Sequence, residues 1–142
     1  MEGLPPRLQA ALEELARAPK ALKADLLLEY AHKVPSVPPG SQLERVEECM
    51  TPFAVRVELR EGKVHLIFSV GEEAPTVKAF AGLLLEGLEG ASPEEVLAVP
   101  ESFYLEGHLE ELLSPLRLRG LQAALLRIKQ QLRKLVPPPA TS

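Results

Sequence analysis

The chain has 142 residues, a formal net charge of -4 at pH 7 and one cysteine. This length is that of one ordinary domain, and a single cysteine cannot close a disulfide within the chain. Acidic and basic residues are interspersed, so the chain lacks the positive field on which nucleic-acid binding depends.

The apolar segments are too short to span a membrane. The longest run of apolar residues and glycine extends from Ala79 to Leu85, whereas a span needs about 20 residues. Residues 1–6 have neither the basic nor the apolar region of a secretory signal. We therefore expect a cytoplasmic protein without a membrane partner.

The composition also predicts a thermophilic source. The chain contains 14 prolines, two methionines and no asparagine. Few thermolabile residues and stiff, proline-rich loops are typical of proteins that work at high temperature.

Two helices are predicted in the first 35 residues. Pro5 and Pro6 suit the first turn of a helix, which Ala18-Pro19 ends. A second helix extends from Lys20 to about Lys33, because Val34-Pro35 disfavours a further helical turn. The apolar stripe of this second helix is predicted to contain Leu22, Leu26, Leu27 and Tyr30.

A β-hairpin is predicted over residues 53–70. Apolar and polar residues alternate from Phe53 onward, which is the period of a strand. Glu61-Gly62 is a two-residue turn in which glycine supplies positive φ, and it pairs Leu59 with Val64. The residues before the hairpin, 43–47, are candidates for a third strand.

The C-terminal half is predicted to be helical. Pro75-Thr76 opens a helix whose apolar face covers the hairpin, and Ser92 to Glu95 form a capping box. Residues 102–113 are predicted to form another short helical piece. Ser114-Pro115 starts the longest helix, whose basic residues near the end suit its dipole. These are Arg127, Lys129, Arg133 and Lys134.

The predicted fold is therefore a single α+β domain. A small antiparallel sheet of about three strands packs against N-terminal, middle and long C-terminal helices. The ordered core is expected over residues 5–135, with a flexible tail over 136–142.

The three histidines have no metal-ligand spacing with one another or with Cys49, so we expect no metal and no cofactor. His65 faces Glu58 across the hairpin and is interpreted as a surface residue, not a base. His108, among acidic neighbours, is interpreted in the same way.

Cys49 lies where the helical N-terminal part gives way to the hairpin. Thr51 and Pro52 favour a turn or extended chain, which places Cys49 on a loop between strands. Such loops present reactive groups, although a lone cysteine is also common as an inert core residue. Neighbouring carboxylates disfavour the thiolate, so the residues alone do not identify an activated thiol. These acidic neighbours are Glu44, Glu47 and Glu48.

Arg117 is unusual for its position. A cation in the first turn meets the positive end of the helix dipole, which is slightly unfavourable. Arg117 therefore either serves a partner or forms an ion pair with Glu110 or Glu111.

Four blocks of sequence, in this order, occur together in a known family. They are Leu27 to Pro35, Val46 to Cys49, Thr76 to Lys78, and Leu113 to Leu121. They resemble the helix ending in Leu-Pro, the strand followed by cysteine, the Ile-Val-Lys helix start and the Leu-Thr/Ser-Pro-x-Arg-x-x-Gly-Leu signature of the SufE family. The likeness covers residues 21–131 almost without gaps.

The resemblance implies that residues 1–142 form one SufE-like domain, a sulfur acceptor of iron-sulfur cluster assembly. In this family a SufS-like, pyridoxal-phosphate-dependent cysteine desulfurase forms a persulfide, and the acceptor's loop cysteine, here Cys49, takes the terminal sulfur. The sulfur then passes to a SufBCD-like scaffold complex. The likeness thus implies a carrier and desulfurase activator, not an enzyme with its own turnover. The residues that it assigns to site shaping or partner docking are Arg117, Gly120, Glu48, Met50 and Thr51.

The sequence departs from the family around the cysteine. The family pattern is Gly-Cys-Gln-Ser-Gln-Val-Trp, whereas residues 48–54 of this chain read Glu-Cys-Met-Thr-Pro-Phe-Ala. The missing glycine and the added Pro52 stiffen both sides of the thiol. This difference bears on the family's loop movement and on the choice of desulfurase.

The residues leave two other functions open. One is a non-catalytic module that docks on a desulfurase and stimulates it while Cys49 is merely packed. The other is a thiol-based peroxide sensor, which the acidic neighbours and the lack of a second, resolving cysteine disfavour.

Overall fold

The elements follow the predicted order. The structure, a computed structural model, describes residues 4–49 and 52–136. Its α-helices are α1 (Pro6–Arg17), α2 (Lys20–Glu29), α3 (Pro75–Leu88), α4 (Pro93–Leu97) and α5 (Pro115–Leu135). Its strands are β1 (Glu44–Arg45), β2 (Phe53–Arg60) and β3 (Lys63–Val70). Its 3-10 helices are Tyr30–Lys33, Phe103–Gly107 and Leu109–Glu111. The predicted α+β class is confirmed. Of the predicted tail over 136–142, residues 137–142 lie outside the described residues, and Val136 packs against the core.

The sheet is antiparallel with the order β1-β2-β3. The hairpin has the predicted register, in which Leu59 pairs with Val64. Glu61 and Gly62 both have positive φ, 54° and 75°, as a tight two-residue hairpin turn requires. The strand predicted within residues 43–47 is β1, which is only two residues long. After β1 the chain leaves the sheet to form the loop that carries Cys49.

Side chains from helical segments protect both edges of the sheet. The short β1 leaves part of the edge of β2 uncovered. There, Gln131 of α5 accepts a 2.8 Å hydrogen bond from the Val57 amide and donates one of 3.0 Å to the Val55 carbonyl. On the β3 edge, a Glu89 oxygen accepts a 2.9 Å hydrogen bond from the Leu66 amide. The Gln131 contacts satisfy backbone groups of β2 that the very short β1 leaves unpaired, and the Glu89 contact satisfies one on the outer edge of β3. Both hinder pairing with another chain.

Helices α3 and α5 cover the apolar face of the hairpin, and the core lies between these helices and the sheet. Helix α3 also packs closely against the N-terminal helices at two glycines. A Cβ atom at Gly82 would lie 1.8 Å from the Tyr30 carbonyl oxygen, and one at Gly87 would lie 2.6 Å from Leu8. Glycine at these positions lets the backbones approach to distances that alanine excludes.

One local prediction was wrong. Leu22 was assigned to the apolar stripe of α2, yet it is 57% exposed, and the neighbouring Lys23 is buried instead. Lys23 Nζ lies 3.4 Å from the Ala16 carbonyl oxygen and 3.8 Å from a Glu111 carboxylate, so its charge is paired inside the fold. The helical piece predicted over 102–113 is confirmed and consists of two 3-10 helices, which are separated by His108 with its left-handed φ of 55°.

Candidate functional site

Cys49 lies at the end of a turn between β1 and β2. The Val46 amide donates a 2.8 Å hydrogen bond to the Phe53 carbonyl, and the Cys49 amide donates one of 3.2 Å to the Val46 carbonyl. The loop therefore folds back on itself. Cys49 is 9% exposed and belongs to the hydrophobic core. The predicted loop position is correct, and the thiol is buried in this conformation.

The thiol forms part of the wall of a small pocket of about 160 Å³. The pocket lies between the Cys49 loop, α3 and the beginning of α5. Its lining residues are Cys49, Val77, Phe80, Ser114, Leu116, Arg117 and Gly120. The fold thus brings together three blocks of sequence that are far apart along the chain.

The beginning of α5 lies directly against the thiol. A Cβ atom at Gly120 would lie 3.7 Å from Cys49 Sγ, which is van der Waals contact. Ser114 caps the helix by accepting a 3.3 Å hydrogen bond from the Arg117 amide. Leu116 is 48% exposed at the rim of the pocket. The rim therefore offers both an apolar and a cationic side chain.

Arg117 is exposed and lines the pocket. The predicted alternative pairing with Glu110 or Glu111 does not occur in the part of the chain that the structure describes, where the Arg117 guanidinium has no ion pair. Glu111 instead contacts Lys23 and His108, at 3.8 and 3.4 Å. An exposed guanidinium beside a pocket suits recognition of an anionic partner group.

Two of the three acidic neighbours of Cys49 are paired with an arginine of α5. Arg127 Nη2 donates a 2.9 Å hydrogen bond to Glu48 Oε1, and Arg127 Nε lies 3.4 Å from Glu44 Oε2. Two of the three predicted negative charges are thereby paired with one guanidinium. The third, Glu47, is exposed.

Arg127 and Gln131 contact the Cys49 loop or the strand before it, which the sequence pattern did not predict. Arg127 was assigned to the helix dipole, yet its side chain is only 16% exposed and faces the loop. The one signal in the sequence for these contacts is spacing. Glu44 and Glu48 are four residues apart, and so are Arg127 and Gln131. Residues four apart on a helix share one face, but which face meets the loop depends on tertiary packing.

Met50 and Thr51, the other predicted site residues, lie outside the described residues.

None of the three histidines lines this pocket, and both the lining residues and the histidines fall within residues 4–49 and 52–136. His65 stands opposite Glu58 as predicted, but its Nδ1 contacts Glu89 at 2.5 Å, so Glu58 is not its hydrogen-bonding partner. The ligand atoms of His108, Glu110 and Glu111 lie within 4.8 Å of one another. All three side chains are exposed, and exposed groups of this kind are common without a metal.

No helix within residues 4–49 and 52–136 combines the length and the apolar character needed to cross a bilayer.

Comparison with known proteins agrees with this arrangement. The family model described as "SufE: Fe-S metabolism associated domain" matches residues 9–132. Two uncharacterized SufE-like proteins, from two strains of Mycobacterium tuberculosis, are each 42% identical over 136 residues, covering 93% of this chain and 95% of theirs. SufE-like protein 1 of Arabidopsis thaliana, described as chloroplastic/mitochondrial, is 30% identical over 85% of this chain and 33% of its own.

A solved structure gives the same result for the fold. The solution structure of a hypothetical protein from Thermus thermophilus is 61% identical and superposes with a TM-score of 0.87, covering 92% of this chain and 96% of the other. The four sequence blocks, the placement of Cys49 and these matches lead to one conclusion: the chain belongs to the SufE family, whose domain is associated with iron-sulfur metabolism.

Proposed function

We propose that Cys49 is a covalent sulfur acceptor for a SufS-like, pyridoxal-phosphate-dependent cysteine desulfurase. The Cys49 thiolate attacks the terminal sulfur of the persulfide on the desulfurase. A new S–S bond forms at Cys49, the S–S bond of the donor breaks, and the donor cysteine leaves as a thiolate. One sulfane sulfur changes place, so the step needs no external oxidant or reductant.

The observation that carries this proposal is the position of the chain's single cysteine. Cys49 forms part of the wall of a small pocket beside Gly120 and Arg117, within the blocks that resemble the family's cysteine and helix-start motifs. Burial suits an acceptor, because an exposed persulfide or thiolate oxidises readily. The exposed Leu116 and Arg117 at the rim provide a surface for the donor to dock.

The acceptor then delivers its sulfur to a SufBCD-like scaffold on which iron-sulfur clusters are built. In this proposal the protein acts in the cytoplasm as a carrier and desulfurase activator, and it has no catalytic turnover of its own. Membership of a family associated with iron-sulfur metabolism supports this role.

A second candidate is a module that docks on a desulfurase and stimulates it without carrying sulfur. The observation in its favour is the burial of Cys49, which is 9% exposed and packed in the core. A thiol that stays buried in the complex cannot attack a persulfide.

The intact mass of the protein after incubation with a cysteine desulfurase and free cysteine tests the proposal. We expect the mass of one or more added sulfur atoms, removed by a reducing agent and absent in Cys49→Ser. No added sulfur, together with undiminished stimulation of the desulfurase by Cys49→Ser, would reject the carrier function and support the docking module.

A further inference from the structure

Arg127 connects the Cys49 loop to the strand that precedes it. It lies on α5, and its guanidinium contacts Glu44 on β1 at 3.4 Å and Glu48 in the loop at 2.9 Å. The side chain of Arg127 is 16% exposed, which makes it much less accessible than the two carboxylates at 48% and 36%. A guanidinium held between two carboxylates is well suited to such bridging, since its donors form a rigid planar fork.

The two ends of this bridge are anchored differently. Glu44 lies in β1, and its second oxygen accepts a 3.1 Å hydrogen bond from Gln131, which is itself bonded to β2. Glu48 lies outside any strand, and over residues 4–49 and 52–136 Arg127 is the one side chain that forms an ion pair with it. Loss of the Arg127–Glu48 contact therefore frees the loop end and leaves the strand end in place.

Glu48 directly precedes Cys49, so the two residues move together. Where the family pattern has glycine before the cysteine, this chain has a carboxylate that reaches α5. We propose that Arg127 is a positioning residue that holds the Cys49 loop against α5 and keeps the thiol covered, so that Cys49 reacts only after the Arg127–Glu48 ion pair is broken. This role serves the proposed sulfur transfer, but the covering of the thiol is a property of the free protein.

The rate at which iodoacetamide alkylates Cys49 in the free protein tests the proposal, and the single cysteine makes intact mass a direct readout. We compare the wild type with Arg127→Met and with the double variant Glu44→Gln/Glu48→Gln. Arg133→Met is the matched control, because it removes the same charge from an exposed position on the same helix. Melting curves confirm that each variant is folded.

The two loop variants change the local charge in opposite directions. A direct charge effect on the thiolate would slow alkylation in Arg127→Met and accelerate it in the double variant. Opening of the loop accelerates alkylation in both. We expect each of the two loop variants to be alkylated about five times faster than Arg133→Met, which is the size of effect expected from loss of a partly exposed ion pair. Added salt should accelerate the wild type toward the variants and change Arg127→Met little.

Alkylation of Arg127→Met at the rate of Arg133→Met, or opposite changes in the two loop variants, would overturn the proposal. Failure here is distinguishable from failure of the sulfur-acceptor function. A wild type that accepts sulfur while Arg127→Met shows no faster alkylation rejects only the role of Arg127, whereas faster alkylation without sulfur acceptance rejects only the carrier function.

Discussion

Gly120 faces Cys49 across the boundary between α5 and the loop. A Cβ atom at position 120 would lie 3.7 Å from Cys49 Sγ and 3.9 Å from its Cβ. These are ordinary packing distances, so an alanine fits without displacing the loop. The glycine leaves the space of one methyl group beside the thiol.

Gly120→Ala should therefore increase stability and reduce thiol access at the same time. Alanine in a helix is favoured over glycine by about 0.5–1 kcal/mol, and its methyl group covers Sγ. We expect a higher melting temperature and slower alkylation of Cys49. A loosened fold would give the reverse of both changes, so a destabilised variant with faster alkylation would contradict this interpretation.

Gln131→Ala should lower the free energy of unfolding by about 1–2 kcal/mol. The substitution removes the acceptor of the Val57 amide and the donor to the Val55 carbonyl at the β2 edge. The urea midpoint measures the effect. Gln130→Ala is the matched control, since Gln130 is the adjacent, exposed glutamine of the same helix. Equal midpoints for the two variants would mean that water replaces the side chain without cost.

Tyr30 should make stability fall at high pH. Burial raises the pKa of its phenol from the ordinary 10.0 to about 12, and the carboxylates of Glu14, Glu86 and Glu29 add to the rise. Below pH 10 the phenol is protonated in both states, and its contribution is fully present. Between pH 10 and 12 the unfolded chain loses the proton and the folded chain keeps it, so the free energy of unfolding decreases.

The size of this effect is about 1 kcal/mol at pH 11. Denaturant titrations of the wild type and Tyr30→Phe from pH 8 to pH 11 measure it, because phenylalanine cannot ionise. The wild type should lose stability over this range more steeply than Tyr30→Phe. Parallel curves would show that the phenol titrates alike in the two states.

The melting temperature should exceed the range of about 45–65 °C that is common for mesophilic domains. The expectation rests on the 14 prolines, the absence of asparagine and the paired charges around Arg127. Calorimetry at neutral pH measures it directly. A transition within the mesophilic range would contradict the predicted thermophilic source.

Much of the fold follows from local signals. The alternation from Phe53 and the Glu61-Gly62 turn define the hairpin register without reference to the rest of the chain, because a tight turn fixes which residues face each other. Ser114-Pro115 defines the start of α5 in the same way, through a cap and a proline at the first helical position.

Burial in α2 could not be predicted so well. Leu22 and Lys23 are adjacent, and hydrophobicity alone assigned Leu22 to the core. The structure buries Lys23 because the Ala16 carbonyl and Glu111 happen to lie within reach of its ammonium group. These partners come from other elements, and a helical pattern read along α2 contains no information about them.

The same division applies to the site. The sequence by itself determined that one cysteine lies on a loop before the hairpin, and its ordered blocks indicated the SufE family, because both depend on residue type and spacing. Only the tertiary structure decided that Cys49 is buried beside Gly120 and that Glu48 is neutralised by Arg127, 79 residues further along the chain. Contacts between distant segments depend on how α5 packs on the sheet, and a side chain's charge partner is set by that packing.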